Sequence, residues 1–395
     1  MSLLKNKMLI SIPIITLIII FIFSLAQIPS AKQAPKNLPI AIVNEDTGMD
    51  IPNIGTVNLG NKIVDMISKK AKETNAENEP AIKWISVSNY QKAKQGMDNQ
   101  EYYGALVIPK DFSLKQASLQ TPTPSPSEIN IYVNQGMNAI ASNTVTHILN
   151  EIVDNINKNA ITHLLEEFKK QNRSITAEQA SILASPITKN VNYVNQTGTQ
   201  GNTPIALFQP LWMASIVGAA LIWVSLRSLG QTTKTKKMTI ISIHVLIGAI
   251  CALVIGFGLT GLADGMLGFA IPSFMDTALF LTITSFSFIL MIVAVLMWLG
   301  VAGLPIFVLL LFFGAPLLAM APEFMPSFYQ DWVITWLPMR FMIDGLRELF
   351  FFGKELSWND PTSLLIWIGI GSLLLLFLST FKPDAKQKKN VTTNL

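Results

Sequence analysis

Apolar residues fall in six blocks along this chain. The first covers Met8 to Ile28, about 180 mostly polar residues follow, and five more blocks crowd into the C-terminal half. A helix of about 20 apolar residues crosses a bilayer, because hydrocarbon offers no partner to an exposed backbone amide. The pattern predicts helices at 8–28, 207–226, 238–262, 277–299, 303–321 and 362–381. The fold class is thus an α-helical integral membrane protein with six transmembrane helices. An extracytoplasmic α/β domain is inserted between helices 1 and 2. The divisions are an N-terminal helix (1–28), that domain (29–206), a five-helix membrane domain (207–381) and a basic tail (382–395).

Within 29–206 the pattern changes to short apolar runs. Leu38–Val43, Ile82–Val87, Gly104–Ile108 and Ile129–Val133 read as strands. Val57, Leu59, Ile63, Val64 and Ile67 predict a helix over 56–72, after a Pro, Asn and Gly loop at 52–55. Residues 121–127, with three prolines, read as a stiff hairpin or linker. Ile140, Ile148, Ile152, Ile156, Leu164 and Phe168 mark a long helix over 137–170, and a short one is expected over 176–185. The Asn-, Gln-, Thr- and Gly-rich stretch 189–203 reads as a linker.

Composition agrees with this division. Half of the residues are hydrophobic and 14% are charged, against about 25% charged in soluble domains. The single cysteine, Cys251, lies in an apolar block, so no intramolecular disulfide holds the polar domain. The first block, at about 20 residues, exceeds the 7–15 of a signal-peptide core, and Ile28-Pro29-Ser30-Ala31 is a poor cleavage site. It is read as a retained helix.

Charge placement orients the spans. Lys5 and Lys7 precede the first helix. Arg227, Lys234, Lys236 and Lys237 fill the loop between helices 2 and 3, and Lys382, Lys386, Lys388 and Lys389 follow the last helix. The loop between helices 3 and 4 carries Asp264 and Asp276 and no Lys or Arg. Basic residues gather on the cytoplasmic side, which places both termini inside, residues 29–206 outside, and the protein in a cytoplasmic membrane. Gly300-Val301-Ala302-Gly303 predicts a tight hairpin between helices 4 and 5, and Pro305, Gly314 and Pro316 could kink helix 5. The segment 322–361 mixes Trp332, Trp336 and Trp358 with acidic and basic residues. Over 322–353 it reads as interfacial or re-entrant, with a helix from Pro338 to Gly353.

Candidate chemistry is sparse. The chain has no phosphate-binding Gly-x-x-x-x-Gly-Lys-Ser/Thr run, no His-Glu-x-x-His and no Cys-x-x-Cys. His147 and His163 are about 24 Å apart on one helix and cannot share a metal. His244 reads as a packed histidine. Asn44, Glu45, Asp46 and Gly48 after the first strand form a turn motif: its two adjacent carboxylates could bind a metal or polar ligand, or the segment is a strand-ending turn with Asn and Asp bonding the backbone and Gly at positive φ. Arg340, Asp344, Arg347 and Glu348 stand at helical spacing and can form a charge ladder, a solvated face or an outer gate. No span carries a charge in its middle, which argues against a proton- or sodium-coupled carrier. Nothing asks for a metal, a cofactor or a nucleic acid, and an enzyme is the least favoured class.

Three stretches carry a family resemblance. They are Pro39-Ile40-Ala41-Ile42-Val43-Asn44-Glu45-Asp46-Thr47-Gly48, Tyr103-Gly104-Ala105-Leu106-Val107-Ile108-Pro109-Lys110-Asp111-Phe112-Ser113, and Leu337-Pro338-Met339-Arg340 running into Gly345-Leu346-Arg347-Glu348. With the layout of one helix, an outer domain and five helices, the chain resembles the membrane subunits of type-2 ABC exporters, most closely the phage infection protein (Pip-like) branch. The resemblance implies a homodimer or heterodimer, a separate cytoplasmic ATP-binding subunit, a coupling element near 227–237 and re-entrant helices before the last span. The function expected on that basis is a permease moving an amphiphile (lipid, peptide or drug) outward. Lys234, Lys236 and Lys237 would then meet the ATPase or acidic membrane lipids, and Arg340, Asp344 and Arg347 would form the outer gate. The alternative is a cell-surface receptor or scaffold, for phage adsorption or a secretion system, whose outer domain binds a partner.

Overall fold

A computed structural model describes residues 17–22, 24–25, 27–29, 34–51, 55–74, 79–121, 123–172, 174–227 and 234–382. The start of the first apolar block, the loop residues 228–233 and the basic tail beyond Lys382 lie outside the described residues. The chain divides into two compact units. One comprises Gln33–Gly201 with Glu323–Met325, and the other holds the remaining apolar segments.

The polar unit is built on a five-stranded sheet. Its strands are β1 (Leu38–Asn44), β4 (Ile82–Val87), β5 (Gly104–Ile108), β6 (Ser127–Asn134) and β7 (Ile187–Val194). β1 pairs in parallel with β4 and β5, β6 is antiparallel to β5, and β7 is parallel to β6. Leu38, Ile40, Ala41, Ile42 and Val43 of β1 and all of β5 are buried. Strands covered on both faces need apolar side chains at every position. A small hairpin, β2 (Met49–Ile51) with β3 (Gly55–Val57), follows β1.

Helices cover both faces. α3 (Tyr90–Asp98) packs Ala93 and Met97 on Ala41, Val43, Ala105 and Val107. The other face carries α2 (Leu59–Thr74), α4 (Phe112–Ser118) and α5 (Ala139–Lys170), followed by the short α6 (Ala177–Leu183). Gly104 lets α5 approach, for a Cβ there would meet the Tyr132 carbonyl at 2.6 Å and Val145 at 3.0 Å. Asn138 caps α5, its side chain accepting from Ile140 and Ala141 amides at 3.0 and 3.1 Å. The linker expected over 189–203 is corrected in part, since residues through Val194 form strand β7. Backbone pairing with β6 holds it, while Thr188, Lys189 and Asn190 stay exposed as on any edge strand.

Among the described residues, the helical unit contains the apolar α1 (Leu17–Pro29) and four stretches long and apolar enough to cross a membrane. Those stretches are Thr203–Leu226, Thr235–Gly265, Phe274–Leu318 and Asp360–Phe381. They comprise α7 (Thr203–Arg227), α8 (Lys234–Gly265), α9 (Phe274–Leu299) with α10 (Leu304–Leu318), and α12 (Asp360–Leu378). Gly300, at φ +68°, and a short 3₁₀ turn divide α9 from α10. The span expected over 303–321 is thus a 15-residue helix, about 22 Å long and shorter than a bilayer core. Pro305 falls at its start and Pro316 in its last turn, so neither breaks its middle.

α9 is the centre of this unit. Gly256 of α8 lies so close that a Cβ would meet the Ala278 carbonyl at 2.6 Å, and one on Gly369 of α12 would meet Ser287 Oγ at 2.9 Å. Small residues draw helix backbones together where lipid supplies no hydrophobic drive between helices. Trp212 of α7, fully buried, joins three helices. Its ring meets Phe288 of α9 edge-on at 4.8 Å, and its Nε1 donates to the Phe307 carbonyl of α10 at 3.1 Å.

Candidate functional site

In the polar unit, the first two motif stretches of the sequence lie against each other. The Glu45 amide donates to the Ile108 carbonyl at 2.9 Å, and the Thr47 amide to that of Lys110 at 3.1 Å. Asp46 is 7% exposed and is the hub. Its carboxylate accepts from the Ser113 amide (3.0 Å) and hydroxyl (2.5 Å), the Gly60 amide (3.0 Å) and the Gly48 amide (3.2 Å). Gly60 and Ser113 begin α2 and α4, so one carboxylate serves two helix starts, where free amides and the helix dipole both favour an anion. Burial pushes the Asp46 carboxyl up, but the hydrogen bonds from Ser113, Gly60 and Gly48 outweigh it and hold it below the ordinary value. Asn44 turns inward as well, accepting from the Asp46 amide and donating to Asn61. Glu45 accepts from the Tyr90 amide at 3.0 Å. Gly48 takes φ +78°. Asn44, Glu45, Asp46 and Gly48 are thus spent on the fold. Among the described residues no group of three or more His, Cys, Asp or Glu is placed to hold a metal.

In the helical unit, Lys237 and Lys382 meet at one end. Lys237, at the start of α8, donates to the Lys382 carbonyl at 2.8 Å. Lys382, just past α12, donates to the Trp298 carbonyl at 2.7 Å, and Trp298 Nε1 donates to the Leu375 carbonyl at 3.1 Å. The start of α8, the end of α9 and the end of α12 therefore share one end. The Lys382 ammonium fills the orphan carbonyls and negative dipole at the close of α9. Lys236 is exposed beside Lys237. The side chains of Arg227 and Lys234 lie outside the described residues.

The opposite end holds α11 (Pro338–Phe351). Pro338 opens it, and Met339, Met342, Ile343, Leu346 and Leu349 form its buried face. Gly345 sits on the ring of Phe280, near the start of α9. On the other face Asp344 binds Arg340 Nε at 3.1 Å and Arg347 Nη1 at 3.3 Å. These side chains are only 15 to 34% exposed, where an unpaired charge would be costly. Glu348, next on the helix, has partners beyond α11. Gly353, at φ +60°, reverses the chain, so that Glu348 receives the Lys354 ammonium at 3.2 Å and accepts from Asn359 Nδ2 at 2.6 Å. Asn359 in turn caps α12 through the Thr362 amide at 3.1 Å. Spacing alone missed Lys354 and Asn359, although Asn359-Asp360-Pro361 has the form of a helix start. Before α11, Trp332 and Trp336 are 73% and 55% exposed, and Trp358 after it is 67% exposed. Exposed tryptophans flanking a charged amphipathic helix suit a membrane–water interface.

Small-residue helix packing, four membrane-capable apolar stretches among the described residues and an amphipathic charged helix fit a multi-pass membrane protein. The chain belongs to the ABC-2 family transporter proteins, whose family model matches residues 7–381. A search of curated proteins finds no match. A solved domain assigned to an ABC type-2 transporter of Thermotoga maritima matches at 16% identity and a TM-score of 0.26, over 39% of this chain and 86% of that one. A likeness at that score is too low to argue from.

Proposed function

We propose that the chain is the membrane permease of an ABC exporter that moves an amphiphile outward, powered by a separate cytoplasmic ATPase. The family match over residues 7–381 carries this reading. In it the chain crosses the membrane six times as a dimer subunit, with both termini cytoplasmic and residues 29–206 outside. The gathering of Lys237 and Lys382 at one end of the helical unit supports that end as the cytoplasmic one. The loop 227–237, with Arg227, Lys234, Lys236 and Lys237, is the contact for the ATPase. Arg340, Asp344 and Arg347 on α11 form the outer gate, where paired charges can open to admit a polar head group while the Trp-rich flanks stay in the interface.

Affinity purification of the tagged chain in mild detergent, with mass spectrometry of what accompanies it, tests the reading. A stoichiometric ATP-binding subunit, lost when Lys234, Lys236 and Lys237 are changed to Glu, is expected. Recovery of surface or secretion proteins without an ATPase would overturn it in favour of a receptor or scaffold.

A further inference from the structure

On the α5 side of the sheet, α2 and α5 do not close on each other. Both present apolar faces to the space between them: Ile63, Met66 and Ile67 from α2, and Ile148, Ile152 and Ile156 from α5. Neighbouring helices normally meet at 8–10 Å, and protein interiors hold few voids larger than a water. Here two cavities, of ≈ 460 and ≈ 370 Å³, share Met66, Ile156 and Asn159 as walls. Sharing those walls, they adjoin along residues 59–67 of α2 and 148–167 of α5 as one trough. Each volume lies within the range of about 300–1,000 Å³ typical of small-molecule sites.

The two ends of the trough differ. One is lined by apolar groups, Pro80, Ile82 and Trp84. The other has a polar rim of Lys62, Gln116, Gln120, His163 and Glu167. Glu167 is engaged there, accepting from Gln120 Nε2 at 2.5 Å and lying 3.5 Å from His163 Nδ1. Lys62 makes no ion pair among the described residues, and its stem can lie along apolar surface while the ammonium stays at the mouth. A long apolar trough with one polar end calls for a molecule of the same polarity. Glu167 keeps its charge but is held by Gln120 and faces His163. Lys62, by contrast, has no ion-pair partner among the described residues, so it is the rim group that an acidic head would satisfy. Met49 and Met66 supply walls that adapt to a flexible chain.

We propose that the α2–α5 trough binds a single-chain anionic amphiphile, its hydrocarbon tail between Met66 and Ile156 and its carboxylate at Lys62. This goes beyond the transport reading and does not rest on it.

The test uses the full chain in lipid nanodiscs and palmitate bearing a photoreactive diazirine in its tail. Mass spectrometry is expected to find label on α2 or on the 148–160 stretch of α5, displaced by excess unlabelled palmitate. Ala160→Phe, which fills the trough, is expected to cut that label at least fivefold. Lys62→Glu, an exposed change, is expected to cut it at least threefold while leaving the label from a matched long-chain alcohol unchanged. Label confined to the apolar helices α7–α12, or label in the polar unit indifferent to excess palmitate, would overturn the site. Displacement by a lysophospholipid and not by palmitate would overturn the carboxylate head. If Ala160→Phe does not fold, Lys62→Glu decides, and an equal loss for acid and alcohol contradicts the proposal. None of these outcomes bears on recovery of an ATPase subunit, so failure here is distinct from failure of the exporter reading.

Discussion

Asp46 shows how much of a small domain can depend on one carboxylate. It accepts from Ser113, Gly60 and Gly48 in a pocket closed to water. Asp46→Ala leaves those donors buried and unpaired, at about 1–3 kcal/mol per group. Thermal unfolding of the polar unit, followed by circular dichroism or protease resistance, is expected to shift down by several degrees or more. The folded carboxyl is held below the ordinary 3.8, so its contribution is complete above that value and is lost as pH falls through the lower folded value. Asp46→Asn is expected to flatten that part of the acid unfolding curve, and an unchanged curve would show that other groups govern it. Gly60 belongs to the same knot, because a Cβ there would collide with the side chains of Asn44 and Asp46. Gly60→Ala should therefore destabilise the unit, although alanine is the better helix former.

At the scale of elements, the charge ladder of α11 is the feature to test. Single changes at Arg347 or Asp344 remove one partner and leave the other half-buried. A double-mutant cycle on Asp344→Asn and Arg347→Gln, read by thermal stability in detergent, should show coupling of about 0.5–3 kcal/mol, the range for groups in direct contact. Additive effects would mean that the pair is not formed. Trp212→Ala removes a ring shared by α7, α9 and α10 and leaves a cavity; its expected cost is about 3–5 kcal/mol. Loss of monodisperse protein on size exclusion would register it. Elements of this kind differ in how far the sequence announces them. β1 and β5 are legible because burial on both faces demands unbroken apolar runs. β7 is not, since its exposed Thr188, Lys189 and Asn190 say nothing of the backbone ladder to β6 that holds it. The Arg340–Asp344–Arg347 ladder follows from helical spacing. The partners of Glu348 do not, because they depend on a chain reversal at Gly353 that brings Lys354 and Asn359 back to it. The turn at Asn44–Gly48 was legible as a motif, but its tie to Ser113 crosses 67 residues of chain.

For the whole molecule, family membership and the helical unit agree on a multi-pass permease, and the arrangement of charge supports a direction. The ammonium of Lys382 closes α9, and Lys237 meets its carbonyl from α8, so these two lysines of separate segments share one end. The exposed tryptophans and the α11 ladder lie at the other, near the starts of α9 and α12. In the proposed function, the first end binds the ATPase and the second opens to the outside. The most direct test is transport in inverted membrane vesicles from cells producing the chain with its ATPase. The account predicts ATP-dependent uptake of a fluorescent amphiphile that disappears when Lys234, Lys236 and Lys237 are changed to Glu. Uptake that is the same without ATP, or the same in vesicles lacking the chain, would contradict it.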